Sequence, residues 1–265
     1  MCQDCGCDSG PPLHSHPHAH GTPHDHPHDH GHDHTHDHTH DHTHDHTHER
    51  TILLETRVMA KNAALAEQNR QWLAARRIRA INLISSPGAG KTLLLERTLE
   101  LLRDRLPCAV LVGDVQTDHD ARRLQGKGAR VCQIETRTSC HLDARQVGQR
   151  LPELFPVGGP ERLLIIENVG NLVCPAAFDL GEDLKIALLS VTEGEDKPVK
   201  YPTLFHQAPV VVITKVDLMP HLDWKMERCR AAILQVRPDA RIFELSATTG
   251  VGMTAWIEFL EQWVA

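Results

Sequence analysis

Across its first 48 positions the chain has no Lys, Arg or Glu and almost no large apolar side chain. Such a stretch cannot bury enough surface to offset the entropy of ordering it, so residues 1–48 are expected to be a disordered tail. Three further absences narrow the function. No long Lys/Arg run argues for nucleic acid. No apolar run approaches the length of a transmembrane helix. The N-terminus has neither the basic start nor the apolar stretch of a secretory signal, so a reducing cytoplasm is expected, with cysteines serving as metal ligands rather than as disulfides. The formal charge of −7 belongs to the tail: its eight Asp removed, 27 acidic and 28 basic residues leave a net of +1 over residues 49–265.

What the tail does contain is histidine. Seventeen of the 21 histidines lie between His14 and His48, nearly all at alternate positions, ending in a regular Asp-His-Thr-His repeat. Imidazole suits nickel, zinc and copper, so the tract reads as a device for capturing or storing metal rather than as a solubilising tail. Ahead of it stands Cys2-x-x-Cys5-x-Cys7, spaced closely enough for a flexible peptide to wrap one ion. Thiolates with nitrogen ligands suit Ni2+, with Zn2+ or copper as alternatives.

Residues 49–79 are expected to be a helical segment: from Ile52 to Arg77 the chain is rich in Ala, Leu, Glu, Gln and Arg and fits one or two helices with a buried stripe. From residue 80 an α/β rhythm begins. Short continuous apolar runs at 81–84, 109–112, 131–134, 163–166, 185–190, 210–213 and 242–245 read as strands, and 92–102, 142–151, 224–235 and 252–263 as helices. Strands that are apolar throughout indicate a sheet covered on both faces. The expected fold is therefore an α/β P-loop NTPase domain over residues 80–265, with a mostly parallel sheet covered by helices.

The phosphate-loop pattern is Ser85-Ser86-Pro87-Gly88-Ala89-Gly90-Lys91-Thr92, with Ser85 where the first Gly normally stands. Gly88, Ala89 and Gly90 would turn backbone N–H groups toward phosphate, Lys91 would reach the β/γ-phosphates, and Thr92 would give its hydroxyl to Mg2+. Thr214-Lys215-Val216-Asp217 follows another strand. A carboxylate there accepts from the N1–H and 2-amino group of guanine, which adenine lacks, so Asp217 favours GTP. Ser246-Ala247 is a candidate for the opposite wall of the base site. Two acidic loops leave strand ends, Gly113-Asp114-Val115-Gln116-Thr117-Asp118 and Glu167-Asn168-Val169-Gly170. Asp114 is assigned either to the Mg2+ shell or to positioning the attacking water. Glu167 is a second candidate for the same catalytic region, and Gly170 for a point that senses the γ-phosphate.

Cys140-His141 and Cys174-Pro175 fit no familiar zinc spacing within either segment, but their loops should leave neighbouring regions of one sheet face. Two copies of the chain could then supply four thiolates across a dimer interface, with or without His141. Cys108 and Cys132, inside apolar strands, and Cys229, on a helix, read as structural.

The ordered set formed by the Cys2/Cys5/Cys7 start, the His-rich insert, the phosphate loop, the Asp114 loop, Glu167-Asn168-Val169-Gly170-Asn171-Leu172-Val173-Cys174-Pro175 and Thr214-Lys215-Val216-Asp217 resembles the HypB family, GTPases that help insert nickel into [NiFe] hydrogenase. The resemblance covers nearly the whole chain. It implies GTP hydrolysis, GTP-linked homodimerisation, metal binding at Cys140, His141 and Cys174, and a high-affinity nickel site at Cys2, Cys5 and Cys7. It also implies two partners, the nickel- and zinc-binding accessory protein HypA and the immature [NiFe] hydrogenase large subunit. Thr214 stands where guanine-binding loops commonly have Asn, while Asp217 is retained. The rival readings are a urease-type nickel-insertion GTPase and a nickel storage protein whose nucleotide domain controls assembly.

Overall fold

The computed structural model describes residues 45–114, 119–136 and 139–265. The Cys2/Cys5/Cys7 cluster, the histidine tract up to His44 and positions 115–118 of the Asp114 loop lie outside the described residues. Seven strands, β1 Arg79–Ser85, β2 Cys108–Asp114, β3 Ala129–Glu135, β4 Leu163–Glu167, β5 Leu184–Ser190, β6 Val210–Thr214 and β7 Arg241–Glu244, form one sheet in the order β3-β2-β4-β1-β5-β6-β7. Every neighbouring pair is parallel. The helices are α1 Asp45–Ala74, α2 Lys91–Leu102, α3 His119–Leu124, α4 Ala144–Leu154, α5 Cys174–Ala177, α6 Lys197–Lys200, α7 Pro202–Gln207, α8 Met226–Val236 and α9 Met253–Val264, with a 3-10 turn at Val216–His221. None of them is long and apolar enough to cross a membrane.

The five inner strands are buried at nearly every position because their alternate side chains enter cores on opposite faces of the sheet. Ile81, Leu83, Val110, Ile165 and Val212 pack against Leu94, Leu95 and Leu99 of α2 and Trp256, Ile257 and Leu260 of α9. On the other face, Ala80, Leu111, Leu164 and Ile166 meet Leu73 of α1 and Val147 and Leu151 of α4. Beside them Ile84, Ala187, Val211 and Ile213 meet Leu204 and Phe205 of α7 and Cys229 and Ile233 of α8. The Trp256 indole N–H, buried with the rest, donates to Thr98 Oγ1 at 3.0 Å, so the large ring adds apolar contact without an unsatisfied polar atom.

All seven expected strands are present, in a sheet that is parallel throughout. The helices differ in detail. The segment before β1 is one continuous helix, and it starts at Asp45, inside the stretch read as tail. The helix expected from Leu142 starts at Ala144, because Asp143 caps it: the Asp143 carboxylate accepts from Gln146 N–H at 2.7 Å, and the Gln146 side chain accepts from Asp143 N–H at 2.9 Å. α3 has too few apolar residues in one turn and a half to show a helical period. Prolines at the first turns of α6 and α7 occupy positions where their missing N–H costs nothing.

Helix α1 is fastened by polar side chains as well as by its apolar stripe. Asn69 Nδ2 donates to the carbonyls of Ala144 at 2.7 Å and Leu180 at 2.9 Å, and Asn62 Oδ1 accepts from Ala144 N–H at 2.9 Å. The close seat requires Gly181, whose φ is +92° and where a Cβ would lie 2.6 Å from Ala66 O. Gly181→Ala is expected to cost about 2–4 kcal/mol and lower the melting temperature by roughly 5–10 °C. Thermal unfolding that leaves this variant level with the parent would show that α1 does not hold this seat in solution.

Candidate functional site

Parallel pairing sends the carboxyl ends of all strands to one edge, and β1 lies between β4 and β5, where the direction of winding changes. Such a point is where open α/β sheets leave a crevice. The loop after β1 curls over it, with Gly88 at φ 74° and Gly90 at φ 95°, a region that residues with a Cβ rarely enter. The loop ends at the amino terminus of α2, whose free N–H groups favour an anion. A cavity of about 490 Å3 opens there, lined among others by Gly88, Lys91, Thr92, Asp114, Glu167 and Lys215.

Lys91 is buried in this cradle and donates to Ser85 Oγ at 2.9 Å, while Ser85 Oγ donates to Ser86 O at 2.7 Å. The residue that replaces the usual Gly thus gives the lysine a partner. Burial holds the Lys91 ammonium below its ordinary pKa of 10.5, against the opposing pull of Glu167, Asp120 and Glu193. Thr92 Oγ1 donates to Glu167 Oε1 at 2.8 Å, and the other Glu167 oxygen is buried without a hydrogen-bond partner. Removal from water pushes the Glu167 carboxyl from an ordinary 4.5 up to about 7, more than Thr92 and Lys91 pull it down. A hydroxyl and a carboxylate with one oxygen to spare, at the phosphate end of the cradle, are hard oxygen donors that suit Mg2+. Asp114, at the end of β2, borders the same cavity.

Another corner of the cleft is formed by the loops that follow β6 and β7. Thr214 Oγ1 donates to Ala89 O and Lys215 Nζ to Gly88 O, both at 2.7 Å, which ties this corner to the phosphate loop. Lys215 sits at φ 59°, turning the chain so that Asp217 falls in the first turn of the 3-10 element. Asp217 Oδ1 is buried and has no hydrogen-bond partner among the described residues. Val216 N–H donates to Leu245 O at 3.3 Å, setting the turn that carries Ser246 and Ala247 beside the Asp217 corner. Ser246 Oγ accepts from Thr249 N–H at 3.1 Å, so its hydroxyl serves the turn's own geometry.

The other candidate centre lies behind the β4 loop. Ligand atoms of Cys140, His141 and Cys174 all fall within 4.8 Å of one another, and Cys140 Sγ is 3.8 Å from His141 Nδ1. His141 is buried, its ring 3.9 Å from that of Phe178, and the two cysteines are half-buried. Two sulfurs and an imidazole are a soft-to-borderline set that suits Ni2+ or Zn2+ and leaves a position for a fourth ligand. The remaining described cysteines differ from these. Burial alone, or burial joined by nearby carboxylates, pushes the Cys108 and Cys229 thiols up to about 12, and burial raises Cys132 too. All three fit the structural reading.

Several residues around the cavity carry no sequence signal. Asp120 and Arg123 border it from α3, where Arg123 pairs with Glu96 at 2.6 Å. Lys197 Nζ donates to Ser86 Oγ at 2.5 Å and to Glu193. Asn168, read only as part of its loop, is fully buried and bonded in three directions.

The cradle, the sheet order and the strand-end loops define a P-loop nucleotide-binding domain, and residues 79–244 match the family model described as CobW/HypB/UreG, nucleotide-binding domain. The hydrogenase maturation factor HypB of Azotobacter vinelandii is 51% identical over 213 residues, covering 80% of this chain and 70% of that protein. The crystal structure of HypB from Archaeoglobus fulgidus aligns with a TM-score of 0.72 at 38% identity, over 78% of this chain and 100% of that one. That of HypB from Helicobacter pylori in complex with nickel gives 0.74 at 35% identity, over 77% and 95%. The chain belongs to the HypB family of hydrogenase maturation factors.

The raised Glu167 pKa has a consequence for stability. Between pH 4.5 and about 7 an unfolded chain ionises this group freely and the folded chain resists it, so folding stability falls as pH rises through that window. Glu167→Gln removes the fall and should gain up to roughly 3 kcal/mol over the parent at pH 8 relative to pH 4. Denaturant titrations without Mg2+ or nucleotide at the two pH values measure this, and a parent–variant difference independent of pH would contradict it.

Proposed function

We propose that this protein hydrolyses GTP with Mg2+ and uses the cycle to hold and surrender nickel during maturation of [NiFe] hydrogenase. The observation that carries the reading is one loop. Glu167 at its start takes the hydroxyl of the phosphate-loop Thr92, and Cys174, seven residues on, belongs to the thiolate–imidazole cluster. Membership in the HypB family supports both halves.

Lys91 exchanges its Ser85 hydrogen bond for the β/γ-phosphate oxygens, countering their charge in a site that excludes most water. Thr92 and Glu167 would hold Mg2+, which when bound would neutralise charge developing on the phosphates. Asp114 is the group we assign to the metal shell or to the attacking water, and Gly88, Ala89 and Gly90 present backbone donors. Asp217 accepts from guanine, with Lys215 and the Ser246-Ala247 turn as walls. Gly170 approaches the phosphate loop so closely that a Cβ would lie 3.1 Å from Pro87, which suits a position that feels whether a γ-phosphate is present. Cys140, His141 and Cys174 receive nickel, or Zn2+ in its absence, at a contact between two copies of the chain. Cys2, Cys5 and Cys7 form a second nickel site, and the histidine tract a reservoir. HypA and the immature large subunit are the partners the family suggests, and residues 1–48, 49–79 and 80–265 are the proposed tail, helical arm and GTPase domain.

Two substitutions test the two chemistries. Asp217→Asn loses an ionised acceptor to two guanine donors, worth about 1.5–3 kcal/mol, so GTP affinity should fall roughly 10–100-fold. The amide presents a donor to the 2-carbonyl of xanthine, so xanthosine triphosphate should bind better than to the parent. Unchanged preference would place the base elsewhere. Cys174→Ser removes one soft ligand of three and should weaken nickel binding at this centre by about 10–100-fold in a chelator competition. Nickel retained with parental affinity would rule the cluster out.

A further inference from the structure

We propose that Asn168 is the positioning residue that carries nucleotide state to the nickel cluster, by clamping the backbone of the Cys140-His141 loop to the backbone of the Glu167–Cys174 loop. The inference rests on the reading that GTP and nickel are the two ligands. Asn168 is 1% exposed, and both ends of its amide are engaged. Oδ1 accepts from Leu142 N–H at 3.3 Å and from Val169 N–H at 3.0 Å, one donor from each loop. Nδ2 donates to Asn82 Oδ1 at 3.2 Å, anchoring the clamp to β1, and Asn82 in turn donates to Glu182 at 3.2 Å.

The neighbours on either side of the clamp are the two sites. Glu167, the preceding residue, accepts from Thr92, and Gly170 lies against Pro87. Leu142 follows His141 directly and is fully buried, and a Cβ on Gly113 would meet its side chain at 2.8 Å. Leu142 therefore fills the space beside the Asp114 strand end and cannot slide independently. A second chain holds the same loop from β2: Thr136 N–H donates to Asp114 O at 2.8 Å, Thr136 Oγ1 to Ser139 O at 2.8 Å, and Ser139 Oγ to His141 O at 3.0 Å. Movement of the β4 loop on gaining or losing a γ-phosphate shifts Cys174 at one end and, through Asn168, Cys140 and His141 at the other. A cluster whose ligands come from two loops changes its affinity when that registry changes.

The test uses the full chain with Cys2, Cys5 and Cys7 each replaced by Ser, so that thiolate-to-nickel absorption reports the Cys140/Cys174 centre alone. Nickel affinity is measured with GDP and with a nonhydrolysable GTP analogue, and the ratio of the two is the readout, because general weakening of the fold lowers both values together. The parent should show a ratio of about tenfold. Asn168→Ala and the similar-sized Asn168→Leu lack the acceptor, and whichever folds should bring the ratio below twofold. Asn168→Asp keeps the acceptor and should retain at least half of the parental effect on a logarithmic scale. A parental ratio of one would defeat the reading of the function itself. A parental ratio near ten that persists in Asn168→Leu or Asn168→Ala, or an Asn168→Asp chain as uncoupled as these, would overturn the role of this side chain.

Discussion

Parallel pairing in register is the constraint from which both candidate centres follow. β1 pairs with β4 from Arg79↔Leu163 to Leu83↔Glu167, and β2 pairs with β4 from Cys108↔Leu163 to Val112↔Glu167. Strands that run the same way and start level deliver their following loops to one edge. The phosphate loop, Asp114 and the Glu167 loop therefore meet without any long-range side-chain contact having to bring them together. β3 pairs with β2 out to Asp114↔Glu135, so the Cys140-His141 loop emerges at that edge as well. The Cys140/His141/Cys174 cluster is thus a second product of the register that makes the phosphate cradle.

The charges in this edge are held in a poised arrangement. Lys91 and Glu167 are both removed from water, and each is displaced toward its neutral form by that removal. Their hydrogen bonds go to hydroxyls, Ser85 and Thr92, rather than to each other. A direct buried ion pair would compete with phosphate and cation for the same groups, whereas a hydroxyl gives them up at smaller cost. The same logic marks the corner after β6, where Asp217 keeps a buried oxygen unpaired among the described residues while Lys215 and Thr214 are spent on the backbone of the phosphate loop. Unpaired buried acceptors destabilise a fold, and their presence at both ends of the cradle fits a site that a ligand completes.

Much of this was readable from residues because it depends on local chemistry. Continuous apolar runs gave the strands, since a strand covered on both faces has no polar side to show. Gly88, Gly90, Lys91 and Thr92 were legible because backbone conformation and phosphate contact restrict their types. Cys140, His141 and Cys174 were legible through topology and through the family resemblance: nothing in either segment's spacing joins them, but their loops follow neighbouring strands. Asn168 was not legible, because an amide in a loop looks the same whether it faces solvent or ties two backbones, and its partner Leu142 is 26 positions away. Asp120 and Arg123 escaped for a different reason, a helix of 6 residues being too short to register as a period. The start of α4 was misplaced by two positions, because the apolar Leu142 reads as helix while its N–H is used by Asn168 and Asp143 does the capping.

The proposed coupling requires a triphosphate at one end of the Glu167–Cys174 loop to change what the other end holds. The most direct measurement is the mass of the chain by light scattering together with the nickel it retains, taken with Mg2+ and either GDP or a nonhydrolysable GTP analogue. The account predicts that exchanging one nucleotide for the other changes both quantities together. Equal mass and equal nickel content in the two conditions would contradict it.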